Sequence, residues 1–127
     1  MGLTIKKLKF PYDLGFQYKI NPEGSGELLF TLVMKYPMVK RLFPSLNMQD
    51  RLAEISVFYP YGCLSEGNKE GLGTRLLEEI LKDSTENKCK AVYARTSREK
   101  FQALLIKKGF ITDTLIGIDY IKLLGDG

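Results

Sequence analysis

Two glycines that precede an amphipathic helix are the residues with the clearest chemical potential. Gly71 and Gly73 stand one residue apart at the start of an apolar stripe with helical spacing. Glycine lets the backbone turn sharply and present N–H groups with no Cβ in the way, and the positive end of a helix dipole attracts an anion. The pattern favours a phosphate or pyrophosphate ligand. A glycine turn that serves only the backbone is the alternative.

The candidate anion loop also carries polar and basic side chains that suit a phosphate. Its residues are Asn68, Lys69, Glu70, Gly71, Leu72, Gly73, Thr74 and Arg75. The stripe of the helix behind it consists of Leu72, Leu76, Leu77, Ile80 and Leu81, and this period predicts a helix that faces the core. The formal net charge of +4, from 19 basic and 15 acidic residues, is also compatible with an anionic ligand.

The elements after this helix follow a regular order. A β-branched and aromatic run over 91–94 predicts a strand, and the segment 96–99 has the spacing of a capping box. A second short helix then carries Phe101, Leu104 and Leu105 on one face and ends near Gly109.

The order strand, Gly-x-Gly, helix, strand, helix ending in Gly-Phe, strand over residues 52–124 resembles the GNAT acyltransferase superfamily. In that family the loop amides hold the pyrophosphate of acetyl-coenzyme A, and Gly71 and Gly73 match its glycines. The resemblance implies acetyl-coenzyme A as cosubstrate. It also implies an α+β fold with a mixed, mostly antiparallel central sheet flanked by helices. The two helices usual after the first strand have no room there, so we expect the N-terminal helices to be reduced or missing.

Three positions depart from the family pattern. Asn68 stands where Gln or Arg is usual, and Arg98 stands where the later helix usually starts with Asn. Leu105 replaces the tyrosine that usually protonates the leaving thiolate, and leucine cannot donate a proton. Tyr93 and Tyr120, each on a predicted strand, are candidate replacements for that acid. Arg98 is a candidate phosphate ligand, with a solvated helix face as the alternative.

Glu54 is the candidate general base. It lies in an Ala-Glu-Ile run, and the histone-acetyltransferase branch of the family carries a similar run with its glutamate as the base. A base at this place could deprotonate an acceptor ammonium directly or through water. A salt-bridged strand glutamate is the alternative.

The composition limits the available chemistry. The chain has 127 residues, enough for the one domain that we expect over 1–127, and it has no histidine. Catalysis by Ser-His-Asp or Cys-His groups and metal sites with histidine ligands are therefore excluded. The two cysteines, Cys63 and Cys89, lack metal-ligand spacing and are predicted to be free thiols in a reducing compartment. Cys63 as a nucleophile is the sharper alternative.

Charge and hydropathy bear on nucleic-acid binding and on cellular location. The lysines are dispersed, so nucleic-acid binding is not favoured. The apolar runs are shorter than the roughly 18–20 residues that span a bilayer, and we expect a cytoplasmic protein without a membrane segment.

The first half of the chain predicts mostly strands. Residues 3–10 suggest one strand, and 16–20 with 27–36 suggest a hairpin around a dense turn signal. The run 28–34 is apolar on all sides, so a buried helix is the alternative there. A turn or two of helix is expected over 38–43. The strand 52–59 is predicted to place Ala53, Ile55, Val57 and Tyr59 on one face, with Glu54, Ser56 and Phe58 on the other.

Two functions follow. The first is direct transfer of an acetyl group from acetyl-coenzyme A to an amine of a small molecule or peptide. The second is a non-catalytic acyl-coenzyme A-binding or regulatory module of the same fold. An edge strand over 116–124 could also pair across a homodimer axis.

Overall fold

A computed structural model describes residues 4–21, 24–60, 71–112 and 117–125 of the chain. Its strands are β1 (Thr4–Lys9), β2 (Gly15–Asn21), β3 (Ser25–Leu32), β4 (Arg51–Tyr59), β5 (Ala91–Arg95), β6 (Ile111–Thr112) and β7 (Asp119–Leu123). Its helices are α1 (Pro37–Leu42), α2 (Leu72–Glu86) and α3 (Glu99–Lys107), and short 3-10 turns cover Pro11–Asp13 and Val33–Lys35. None of these helices is both long enough and apolar enough to cross a membrane.

The strands form one mixed sheet in the order β1-β2-β3-β4-β5-β7-β6. Only β4 and β5 pair in parallel, and the other neighbours are antiparallel. The predicted fold class is therefore confirmed, with a single short helix, α1, before β4 among the described residues. The run 28–34 begins as strand, as preferred. The strand ends at Leu32 and not at residue 36, because Val33–Lys35 turn into a 3-10 helix before Pro37.

The prediction that 116–124 is an edge strand is wrong. β7 lies between β5 and β6, and its partners in β6 are Ile111 for Ile121 and Thr112 for Tyr120. The cause is the end of α3. Gly109 adopts a φ of +94°, and the N–H of Phe110 donates to the carbonyl of Leu105, which reverses the chain so that β6 covers β7.

Two apolar cores lie on opposite faces of the sheet. On the first face, α2 and α3 pack together on Phe16, Tyr18, Leu28, Ala53, Ile55, Val92 and Ala94. The second face is covered by residues 33–46, which bury Val33, Val39 and Leu46 against Leu52, Ala91, Tyr93 and Ile121. Alternation along β5 thus sends Val92 and Ala94 into the first core and Ala91 and Tyr93 into the second.

A β-bulge in β4 changes the predicted faces of that strand. Glu27 pairs with Val57 while Leu28 pairs with Ile55, so Ser56 is an extra residue. Phe58 consequently joins the core that holds Ala53 and Ile55, whereas Val57 and the following Tyr59 are exposed. The predicted assignment of Val57, Phe58 and Tyr59 was wrong, since simple alternation does not anticipate an inserted residue.

The capping box predicted at 96–99 is also wrong. The hydroxyl of Thr96 accepts the backbone N–H of Arg98 at 3.0 Å, and α3 begins at Glu99 with no side-chain cap on Arg98. The local hydroxyl-to-backbone bond closes a small turn before the helix and leaves the cap position to Arg98.

Candidate functional site

The parallel pair at the centre of the sheet opens towards one end. β4 and β5 pair from Leu52 with Ala91 to Ile55 with Ala94, and there the pairing stops. β4 continues through its bulge to Tyr59, while β5 ends at Arg95. Beyond Ile55 and Ala94 the two strands therefore separate.

The first turns of α2 lie beside this divergence. A Cβ added to Gly26 would stand 3.2 Å from the side chain of Leu76, so α2 packs closely on β3 at that residue. Gly26 is the register partner of Phe58, which belongs to the diverging part of β4. The N-terminal end of α2 and the open edge of β4 are thus neighbours.

The described part of the candidate anion loop starts at Gly71. This residue is the N-cap of α2 and has a φ of +81°, a conformation that favours glycine, although a Cβ there would meet nothing within 4 Å. The N–H of Arg75 donates to the Gly71 carbonyl at 2.9 Å. The N–H groups of the three residues between them, Leu72, Gly73 and Thr74, precede that first intrahelical bond. Such groups are the ones that bind anions at helix ends.

The side chains of the loop differ in burial. Leu72 and Gly73 are buried, Thr74 is half-buried, and Arg75 is exposed. Asn68, Lys69 and Glu70 lie outside the described residues, as does Cys63. Only the helical half of the predicted loop can therefore be placed.

Arg98 connects the loop after β5 to the diverging end of β4. Its guanidinium donates to the backbone carbonyl of Phe58 at 3.0 Å and stands 5.8 Å from the ring centroid of Tyr59. Nearby, the ring of Phe58 stacks on that of Phe101 in α3 at 4.0 Å. The part of β4 beyond its pairing with β5 therefore contacts the cationic side chain of Arg98.

Glu54 lies on the second face of the sheet with a small exposed fraction, 17% of its side chain. Its Oε2 accepts the hydroxyl of Tyr36 at 2.6 Å, and its Oε1 lies 3.4 Å from the Nζ of Lys35. Glu54 and Tyr93 are register partners on adjacent strands. The ring of Tyr36 stacks on that of Tyr93, with centroids 4.4 Å apart and planes inclined by 25°.

Tyr93 leads on to a buried carboxylate. Its hydroxyl donates to Oδ1 of Asp119 at 2.5 Å, and the same oxygen lies 3.3 Å from Nε of Arg95. Burial, and then the hydrogen bond to Asp119, raise the pKa of Tyr93. Burial and the bond to Glu54 likewise raise the pKa of Tyr36, to about 12. Both phenols therefore keep their protons at neutral pH and act as hydrogen-bond donors.

Tyr120 does not belong to this group. It lies on the first face of the sheet, in the core with Phe101 and Phe110, and its hydroxyl donates to the carbonyl of Gly117 at 3.1 Å. The structure therefore brings Glu54 and Tyr93 together and places Tyr120 on the opposite face.

Tyr36, Lys35, Asp119 and Arg95 are site residues that sequence reasoning missed. One signal was present, because Asp119 interrupts an apolar strand, and an acid buried there requires a partner. Tyr36 carried no such signal, since it stands in an irregular connector before Pro37.

Cys89 is buried and free. Burial raises the pKa of its thiol to about 12, and such a thiol is unreactive at neutral pH. Its prediction as a free thiol is confirmed.

The comparisons with known proteins bear on the fold. No family model and no curated protein matches the sequence. Solved structures do match. Arabidopsis thaliana NAA60 with a bisubstrate analogue has a TM-score of 0.67 at 14% identity, over 94% of this chain and 95% of that one. NAA60 with acetyl-CoA gives 0.65 at 14% identity, over 97% and 100%.

A third structure is AtaT complexed with acetyl-methionyl-tRNAfMet, with a TM-score of 0.64 at 12% identity over 96% of this chain and 95% of that one. The fold is GNAT-like. The likeness extends beyond residues 52–124, the range of the sequence resemblance, to nearly the whole chain. The GNAT-like fold thus holds two candidate functional groups, the N-terminus of α2 and Glu54 with its contacts Tyr36 and Lys35.

Proposed function

We propose that this GNAT-like chain binds acetyl-coenzyme A and transfers its acetyl group directly to an amine. The observation that carries the proposal is the glycine-led N-terminus of α2 beside the diverging strands β4 and β5. Solved structures of the same fold hold acetyl-CoA or a bisubstrate analogue. The bound phosphates would accept from the first N–H groups of α2, with Lys69 and Arg75 supplying positive charge.

The rest of the coenzyme would extend between β4 and β5. Phe58 presents a carbonyl into this space, at present accepting from Arg98. An amide-containing arm laid along β4 would compete with Arg98 for that carbonyl. The guanidinium would then be free to contact a phosphate, which is the role that the sequence predicted for Arg98.

Glu54 is the proposed base. It would take a proton from the acceptor ammonium, after which the neutral amine attacks the thioester carbonyl. The new C–N bond forms, the C–S bond breaks, and the thiolate leaves as coenzyme A. Positioning of the two substrates would supply much of the rate.

The leaving thiolate also needs a proton. The sequence predicted Tyr93 or Tyr120 as its donor, but both hydroxyls already donate to protein oxygens. We therefore assign this proton to the attacking nitrogen, which must lose it when the amide forms.

The alternative is a non-catalytic acyl-coenzyme A-binding module. Leu105 favours it, because the residue is fully buried in the first core and offers no acid. The acceptor, whether a small amine or a peptide, and a cytoplasmic location stay predictions. One structural neighbour is complexed with acetyl-methionyl-tRNAfMet, so we add the amine of an aminoacyl-tRNA to the small amines and peptides that should be tested as acceptors.

Calorimetric titration with acetyl-coenzyme A, coenzyme A, ATP and NAD tests the binding half. We expect Gly71→Val to weaken binding of both coenzymes at least tenfold, since a β-branched residue disfavours the φ of +81° that starts α2. Gly117→Val is the matched control, because Gly117 has a φ of +76° and equally open surroundings outside the loop. Unchanged affinity in folded Gly71→Val would exclude this site.

Glu54→Gln tests the catalytic half. We expect it to retain coenzyme binding and to lose on the order of 10²–10⁴-fold in turnover, the usual share of a general base. Binding of acetyl-coenzyme A without transfer to any acceptor in a panel of small amines, polyamines, peptides and an aminoacyl-tRNA would support the non-catalytic module. Full activity in Glu54→Gln would remove this glutamate from the mechanism.

A further inference from the structure

Tyr36 comes from a part of the chain that none of the proposed steps uses. It stands between the 3-10 turn Val33–Lys35 and α1, within the segment that covers the second face of the sheet. Its ring is partly buried against the second core, and its hydroxyl reaches β4 to meet Glu54 at 2.6 Å. This is among the shortest hydrogen bonds between described side chains, and it is made to one oxygen of the proposed base.

The ring of Tyr36 is held from the other side as well. It stacks on Tyr93 at 4.4 Å, and Tyr93 is fixed by its bond to Asp119, of which only 3% is exposed. A tyrosine stacked on a fixed ring has little rotational freedom. The hydroxyl of Tyr36 is therefore a donor with a defined position and direction.

We propose that Tyr36 is a positioning residue that orients the Glu54 carboxylate for proton transfer from the acceptor amine. The inference rests on the proposed function, in which Glu54 is the base. The bond from Tyr36 fixes Oε2. It leaves Oε1 as the oxygen that receives the proton, since its contact to Lys35 is long, 3.4 Å, and the Lys35 side chain is 54% exposed.

The charged and titratable groups around Glu54 come from three directions. Lys35 approaches from the covering segment, Tyr93 lies beside it on β5, and Asp119 with Arg95 lies beyond Tyr93. Tyr36, with its pKa raised to about 12, stays protonated through the range of an ordinary assay. The hydrogen bond that it donates to Glu54 therefore persists over that range.

Tyr36→Phe tests the proposal while keeping the stacked ring. We expect kcat to fall roughly 10- to 100-fold, as a displacement of about 1 Å can cost ~10²-fold, with the KM for acetyl-coenzyme A unchanged. Tyr18→Phe is the matched control. It also removes a hydroxyl that donates to a carboxylate at 2.6 Å, that of Asp83, but on the first face of the sheet. Its kcat and its KM for acetyl-coenzyme A, measured at neutral pH, should match those of the wild type.

A double-mutant cycle separates positioning from general damage to the fold. If Tyr36 acts through Glu54, then Tyr36→Phe in the Glu54→Gln background should cost less than twofold. An equal loss of kcat in both backgrounds, or no loss of kcat in Tyr36→Phe alone, would overturn the proposal. Glu54→Gln is assayed first. Full activity there refutes the proposed base itself and with it this inference, whereas a loss there with an unaffected Tyr36→Phe refutes the role of Tyr36 alone.

Discussion

The network around Asp83 should make the folded protein less stable as the pH rises above 10. Asp83 lies in α2 with 1% exposure, accepts the hydroxyl of Tyr18 at 2.6 Å and pairs with Nζ of Lys7 at 2.8 Å. Burial, and then the bond to Asp83, raise the pKa of Tyr18 far above its ordinary value of 10.0. The hydrogen bond to Asp83 also raises the pKa of Lys7. Tyr18 and Lys7 therefore keep their protons to a higher pH in the folded chain than in the unfolded one.

The sign and size of the effect follow from proton counting. Above pH 10 the unfolded chain ionises its tyrosine while folded Tyr18 does not, so the unfolded state binds fewer protons and the free energy of unfolding falls as pH rises. At pH 11, one unit above the ordinary value, Tyr18 alone costs about 1.4 kcal/mol relative to pH 8. Lys7 adds to the loss in the same direction above about pH 10.5.

Urea denaturation between pH 8 and pH 11 measures this. Tyr18→Phe should be less stable at pH 8, by about 1.5–3 kcal/mol for the lost bond to a carboxylate, but its stability should fall less steeply above pH 10. Tyr12→Phe is the control, because Tyr12 is 90% exposed and should leave both values unchanged. An unaltered slope in Tyr18→Phe would refute the assignment of a persistent proton to this buried phenol.

Two further predictions concern the C-terminal end of α2 and Arg98. Lys88 follows α2 with a φ of +64°, at the place that Gly109 takes after α3. Lys88→Gly should therefore raise the free energy of unfolding by about 1 kcal/mol and Tm by roughly 4 °C in calorimetry, whereas Gly109→Ala should lower Tm. Arg98→Ala should weaken acetyl-coenzyme A binding roughly fivefold and flatten its salt dependence, with exposed Lys100→Ala as the control. Titrations at two salt concentrations that show no change for Arg98→Ala would end its phosphate role.

Regular hydrophobic patterns in the sequence predicted most of the helices and strands. The stripe of α2, the runs of β4 and β5 and the glycine end of α3 are local patterns, and each predicted its element. The order of those elements was enough to predict a GNAT-like sheet. What local pattern could not give was the placement of β6, because a strand of two residues, Ile111 and Thr112, has no period of its own. Its position depends on a chain reversal and on pairing with β7.

The candidate site shows the same division. Gly71 and Glu54 stood out in the sequence because each lies within a short motif. The contacts of Glu54 could not be predicted from the sequence. Tyr36 is 18 residues away in an irregular segment, and its hydroxyl reaches Glu54 only when residues 33–46 fold over the sheet. Similarly, the bulge at Ser56 changes which side chains of β4 face each core. The sequence of β4 alone does not predict this bulge, because it depends on how β4 pairs with β3.

Leu105 bears most directly on whether the chain is an enzyme. Its side chain is fully buried, so the position at which the sequence resemblance implies a tyrosine is part of the packed core here, and Leu105→Tyr would overfill that core instead of adding an acid. Loss of the acid need not end catalysis. A thiol ionises near pH 8.5, so a thiolate is a tolerable leaving group near neutral pH, whereas an ammonium with a pKa near that of lysine cannot attack until it loses a proton. The base therefore matters more than the acid for the proposed reaction, and the hydrogen bond from Tyr36 that fixes one oxygen of Glu54 supports the proposed transfer despite the missing acid.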